Sequence, residues 1–192
     1  MDSATAHDLR SPLASIEGYA RLLSEGRGGE LTPKQRRYVE GILASSRILR
    51  HILDSLRLAD ELARGEIEPA EAPGSAGEIL SRAAADFARA FAAKGARIEA
   101  DGGDVFVPRG ADLVERAVGP LLLAALTTSE PGCEIRLSAR REASEIVVAV
   151  EGPGVAGPGT GAGLEVAARL AERLGGRADF QEGHLALILP AA

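Results

Sequence analysis

The chain contains no tryptophan, two tyrosines, four phenylalanines and one cysteine, and each scarcity narrows what it can be. A lone cysteine, Cys133, cannot form an internal disulfide, which fits a reducing compartment. It follows Pro131-Gly132 in a turn, has no activating neighbour and is expected to be inert. With so few aromatics the core must come from Ala, Leu, Val and Ile, a mix suited to helices packed through small and aliphatic side chains. Cations are outnumbered, 22 Lys and Arg against 28 Asp and Glu, for a formal net charge of −6. A nucleic-acid surface needs clustered cations and is not expected. No run of about 18 apolar residues is present, so no membrane span is expected. Met1-Asp2-Ser3 lacks the basic and apolar regions of a signal peptide, and a cytoplasmic location is the expectation. Hydrophobic residues make up 45%, enough for a true core and too many for a disordered chain.

What is there begins with periodicity. Leu9, Leu13, Ile16, Ala20 and Leu23 recur at three- and four-residue steps and predict an amphipathic helix over residues 3–24. Gly26-Arg27-Gly28-Gly29 ends it. Thr32-Pro33-Lys34-Gln35 predicts the start of a second helix, with Thr32 as N-cap, Pro33 where its missing N–H costs nothing, and Gln35 closing a capping box. That helix runs to about Arg64, with Gly65 as C-cap, roughly 30 residues or ~45–50 Å. A hairpin this long cannot bury its apolar stripe alone, and pairing with a second copy into a four-helix bundle solves the problem. Glu66–Gly74, polar and Pro-containing, reads as a linker. It separates a helical domain, residues 1–68, from a second domain, residues 75–192.

Ser75 and Glu78 share a capping-box spacing that opens a helix through about Ala93. Short strands are expected at Arg97–Ala100 and Val105–Val107, then an apolar helix from Asp112 to about Leu126. Strands at Glu134–Arg140 and Ile146–Val150, a helix from about Leu164 to Leu174 stopped by Gly175-Gly176, and strands at Ala178–Gln181 and Leu185–Leu189 complete the pattern. The second domain is thus a mixed α/β layer with helices on one face of its sheet, and the whole chain is of α+β class.

The most specific residues are His7-Asp8-Leu9-Arg10-Ser11-Pro12-Leu13. A phosphohistidine forms when an imidazole nitrogen attacks a phosphoryl group, so the ring must be exposed, neutral and in the right tautomer. Asp8, beside it, can accept a hydrogen bond from the other ring nitrogen and offset developing charge. Ser11 lies at i+4, on the same helical face, and Pro12 removes one intrahelical bond. The heptapeptide resembles the signature His-Glu/Asp-x-Arg-Thr/Ser-Pro-Leu of the dimerisation and phosphoacceptor domain of bacterial histidine kinases. That resemblance implies a dimeric four-helix bundle with His7, Asp8 and Ser11 as its reactive residues, Ser11 helping to place water when a partner is dephosphorylated. The other two histidines carry no motif: His51, among Arg47, Arg50 and Asp54, reads as a surface residue, and His184 lies in a terminal turn.

The second domain resembles the α/β sandwich of the kinases' ATP-binding domain, with losses. That family places two asparagines on a helix, one of which holds Mg²⁺; Pro120 and Ala124 stand there instead, and Thr127 stands where Lys or Arg is usual. Ala124 offers no oxygen to a hard cation. The family's Asp-x-Gly-x-Gly motif keeps Gly152 and Gly154 but has no Asp unless Glu151 substitutes from a shifted position. The lid over the nucleotide shrinks to Val155–Pro158. Gly159-Thr160-Gly161-Ala162-Gly163-Leu164 matches the second glycine motif, so Gly159, Gly161 and Gly163 are candidates for a residual phosphate contact through backbone N–H groups. A turn kept for packing is the favoured reading of the same glycines.

The resemblance therefore implies a histidine phosphotransfer protein of a two-component phosphorelay, similar to dimeric histidine phosphotransferases. It would hold no metal and no ATP, and its partner, a response-regulator receiver domain, would supply Mg²⁺. The expected receiver-docking face is Ser11, Ser15, Gly18, Tyr19 and Leu22. Two alternatives remain at this stage: a divergent sensor kinase that autophosphorylates from ATP, and a non-catalytic dimeric adaptor of a receiver or kinase.

Overall fold

A computed structural model describes residues 3–155 and 162–191, the side chains of residues 3–7 and 162 excepted. Two long helices come first, α1 (Ser3–Ser24) and α2 (Pro33–Arg64). The α2 start is capped as its sequence demands: Thr32 Oγ1 accepts from the Gln35 amide at 3.3 Å, and Gln35 Oε1 accepts from the Thr32 amide at 2.9 Å, so two otherwise orphaned donors are satisfied. Gly65 closes the other end in the left-handed region, φ 70°, where a side chain would be strained. α1 runs on through Pro12.

The apolar stripe of α1 divides in two. Leu13 packs on Leu53, and Ala20 on Val39 and Leu43, so these positions close the hairpin. Leu9, Ile16 and Leu23 remain exposed, as do Tyr38, Ile42, Leu49 and Ile52 on α2. The hairpin alone leaves a second apolar face open, larger than scattered surface residues would make.

After the hairpin come β1 (Gly74–Ser75), α3 (Ala76–Ala93), β2 (Arg97–Asp101), β3 (Phe106–Val107), α4 (Ala111–Thr128), β4 (Glu134–Glu142), β5 (Glu145–Glu151), α5 (Ala162–Arg173), β6 (Arg177–Gln181) and β7 (His184–Pro190). The main sheet has the order β2-β4-β5-β7-β6, with β2 parallel to β4 and all other neighbours antiparallel. β1 pairs only with β3; two residues are too few to show alternation, and no sequence signal announced this strand.

Alternation along β5 separates the two faces of the sheet. Ile146, Val148 and Val150 enter the core shared with α3, α4 and α5, whereas Val147 and Ala149 join Ala186 and Ile188 in a small cluster on the helix-free face. The main core does not stop at the domain boundary expected from sequence. Leu58 and Leu62 of α2, and Ile67 just beyond it, belong to it. The 66–74 stretch is strapped down as well: the Gly110 amide donates to the Ala70 carbonyl at 3.0 Å, and Asp112 Oδ1 accepts from the Ala70 amide at 3.3 Å. α2 is therefore at once half of the hairpin and a wall of the α/β layer.

Candidate functional site

His7 lies in the second turn of α1. Asp8 and Ser11, the other two residues of the expected reactive group, are exposed on that helix. The rotation of α1 is set by the inward pull of Leu13 and by an ion pair between Arg10 and Asp54 of α2 at 2.8 Å. With Leu13 and Ala20 turned toward α2, the face carrying Ser11, Ser15, Gly18, Tyr19 and Leu22 is exposed throughout, Tyr19 to 71%. The Ser15 hydroxyl donates to the Ser11 carbonyl at 3.2 Å, one turn back. Asp8, next in sequence to His7, and Ser11, at i+4 from it, are both open to solvent on this helix.

The second half of the expected chemistry centres on α4 and the end of β5. α4 is apolar almost all round, and Pro120 and Ala124 are both buried, the latter 6% exposed. Thr127 Oγ1 donates to carbonyls of its own helix, Leu123 and Ala124, at 3.0 and 2.9 Å. Val150, two residues before Gly152, is fully buried in the core. Glu151 points to the opposite, helix-free face, where its Oε1 lies 2.9 Å from Nδ1 of its cross-strand partner His184. Strand alternation thus turns the Glu151 carboxylate away from the helices, on the face opposite Val150. His184, expected in a turn, is the first residue of β7.

Two of the glycines, Gly152 and Gly154, have packing reasons to be glycine. A Cβ on Gly152 would come within 2.6 Å of Ile135 Cδ1 and 2.8 Å of the Glu134 carbonyl oxygen. One on Gly154, at φ 72°, would lie 2.9 Å from the Glu130 amide nitrogen. At Gly163, in the first turn of α5, a Cβ would make only an ordinary contact, 3.5 Å from the Pro120 carbonyl oxygen, so packing does not demand glycine there. Gly159, Gly161 and most of the short lid fall outside the described residues. Among the described residues no three His, Cys, Asp or Glu side chains converge to hold a metal ion, and no helix is long and apolar enough to cross a membrane.

One residue was misread from sequence. His51 is half-buried, and its ring stacks on Phe87 of α3 with centroids 4.3 Å apart and planes 27° from parallel. A Cβ on Gly119 of α4 would lie 3.8 Å from its Nδ1. Burial holds the imidazole below its ordinary pKa, against the opposing pull of Asp86 and Asp54. A cavity of about 590 Å³ opens beside the stack between α2, α3 and α4. On its wall, Glu61 of α2 receives hydrogen bonds from Arg57 of its own helix and from Arg116 of α4. Burial alone would raise the Glu61 pKa, but the two guanidinium groups more than offset it and the carboxyl sits below its ordinary value. The face of α2 that carries His51, Ser55, Leu58 and Leu62 follows helical spacing. Its upper half is polar, so hydrophobicity gave no warning of contact there.

Residues 3–64 match the model of the His Kinase A (phospho-acceptor) domain. No curated protein matches the chain. Among solved structures, full-length ShkA in complex with AMPPNP is similar over 97% of this chain and 44% of its own length, at 23% identity and a TM-score of 0.53; the chain thus spans less than half of that protein. The histidine kinase AdeS of Acinetobacter baumannii is similar over 96% of this chain and 98% of its own, at 17% identity and a TM-score of 0.55. The catalytic domain of histidine kinase ThkA covers 62% of this chain and 96% of itself, at 13% identity and a TM-score of 0.54.

Proposed function

From a chain that carries a His Kinase A phospho-acceptor domain and has the fold of a histidine kinase core, we propose a histidine phosphotransfer protein of a two-component relay, carrying phosphate on His7. Its partner is a receiver domain bearing an aspartyl phosphate. The His7 imidazole nitrogen attacks that phosphorus, the bond to the aspartate oxygen breaks, and the carboxylate leaves; the reverse reaction discharges His7 to a receiver. The receiver brings Mg²⁺ and its own acidic pocket, so this chain need supply only a positioned ring. Asp8 orients and balances the imidazole, and Ser11 lies where water would be held for hydrolysis of the partner. The Ser11–Leu22 face is the docking surface.

The observation that supports this reading is the burial of the positions that the resemblance assigns to nucleotide and metal binding. Where Mg²⁺ would need an amide oxygen there is buried Ala124, and where adenine would meet a carboxylate there is buried Val150. The open stripe of Leu9, Ile16, Leu23, Ile42 and Leu49 supports a homodimeric four-helix bundle, since each such side chain gains about 1.5–3 kcal/mol when fully buried.

The test has two arms run beside His7→Gln. With γ-labelled ATP and Mg²⁺, the wild type should acquire no acid-labile label. With receivers charged by a small phosphodonor, it should acquire label on His7 alone. Label from ATP identifies an autokinase instead, and no label from any charged receiver leaves the adaptor.

A further inference from the structure

The contact between the hairpin and the α/β layer contains a histidine, His51. His51 projects from α2 between two helices of the other half: its ring lies on Phe87 of α3 and its Nδ1 edge faces Gly119 of α4. Phe87 is itself 2% exposed and tilts against Phe91, with centroids 6.5 Å apart, so the stack roots His51 in the main core. We propose that His51 is a proton-sensitive latch: as the neutral ring it closes the seam between α2 and the α3–α4 pair, and as the imidazolium it loosens that seam around the adjoining cavity.

The groups facing the ring from each element fix the sign. Asp54, Arg50 and Arg47 surround it on α2, Asp86 and Arg82 on α3, and Glu115 and Arg116 on α4. Arg116 is engaged by Glu61, and Arg82 by Glu115 at 3.1 Å. The two aspartates favour the charged ring, but the loss of water on burial outweighs them, so the closed seam prefers neutral His51. The open seam, with a solvated ring of ordinary pKa near 6.5, binds the proton more tightly. The latch therefore contributes fully above about pH 6.5, and its contribution is lost as pH falls through the depressed value. Asp54, which lines the same cavity, is the partner of Arg10 on α1. Loosening at His51 thus reaches the turn of α1 that follows His7.

The proposal is tested on the full chain by comparing wild type with His51→Phe, which keeps an aromatic ring against Phe87 and cannot be protonated. Urea unfolding of both is followed from pH 7.5 to 5.5 at one protein concentration. The unfolding constant of wild type relative to His51→Phe should rise as pH falls, by at most about tenfold per pH unit, the limit for one proton. Histidine NMR titration, assigned with the same variant, should give His51 a midpoint below that of a free imidazole. Cross-peaks between its ring and Phe87 should weaken with that midpoint. A relative unfolding constant flat across the range, or cross-peaks that persist after His51 has titrated, overturns the latch. If His51→Phe does not fold, the wild-type titration decides alone: stack cross-peaks that weaken away from the His51 midpoint overturn it.

Discussion

Leu58 and Leu62 lie on the hairpin in sequence and in the α/β core in space, and substituting them tests whether the two halves fold as one. Each is 6% exposed and belongs to the cluster built from α3, α4, α5 and the sheet. Leu58→Ala removes three buried carbons, about 2.4 kcal/mol at ~0.8 kcal/mol each. The cavity left behind brings the loss to about 3 kcal/mol. With a urea slope of about 2 kcal/mol/M, the midpoint falls by about 1.5 M. The chain supplies its own two probes. Its only tyrosines, Tyr19 and Tyr38, are both in the hairpin, so tyrosine fluorescence reports that half, while far-UV circular dichroism near 218 nm adds the sheet. Both signals should move together, at fixed protein concentration because the assembly is proposed to be dimeric. A Leu58→Ala variant in which the fluorescence and circular-dichroism midpoints separate would refute the shared core. Leu62→Ala should repeat the result within a few tenths of a kcal/mol.

Glu61 makes a second, acid-side prediction. Its carboxyl is held below its ordinary value, so its contribution is complete above the unperturbed 4.5 and disappears as pH falls through the depressed value. The stability gap between wild type and Glu61→Gln should be constant near neutrality and close as pH drops below about 4, read by urea titrations at a series of pH values. Ile42→Asp, at an exposed position on the open stripe, should leave the monomer folded and weaken self-association by about 100-fold or more. Sedimentation velocity reads this directly. Thr32→Ala removes one arm of the capping box and should cost about 1 kcal/mol in chemical denaturation.

The helices were legible because their ends carry specific chemistry. Thr32, Gln35 and Gly65 fixed α2 almost to the residue, and the strands after Glu134 announced themselves by alternation. The phospho-acceptor domain, matched over residues 3–64, was legible from a contiguous run of residues on one helix. What escaped was set by contacts distant in sequence. His51 has Arg47, Arg50 and Asp54 among its helical neighbours, and the arrival of Phe87 from 36 residues away covers its ring. The apolar stripe of α1 looked continuous, yet Leu13 and Ala20 meet α2 while Leu9, Ile16 and Leu23 do not; periodicity gives a face, and only the neighbours divide it. Glu151 was ambiguous because a one-residue offset in a strand decides which side of the sheet a carboxylate occupies.

The burial of Val150 and Ala124 also bears on how such a chain can change over generations. A carboxylate placed at Val150 would put an unpaired charge at a fully buried position of the sheet, a loss of several kcal/mol against a total reserve of about 5–15 kcal/mol. An amide at Ala124 would crowd the side of a helix that is now nearly sealed, and Pro120 would have to be replaced as well. Each such change taken singly lowers stability. The packing of α4 and β5 therefore resists single polar substitutions, while the exposed positions Asp8 and Ser11 can change at little cost to stability.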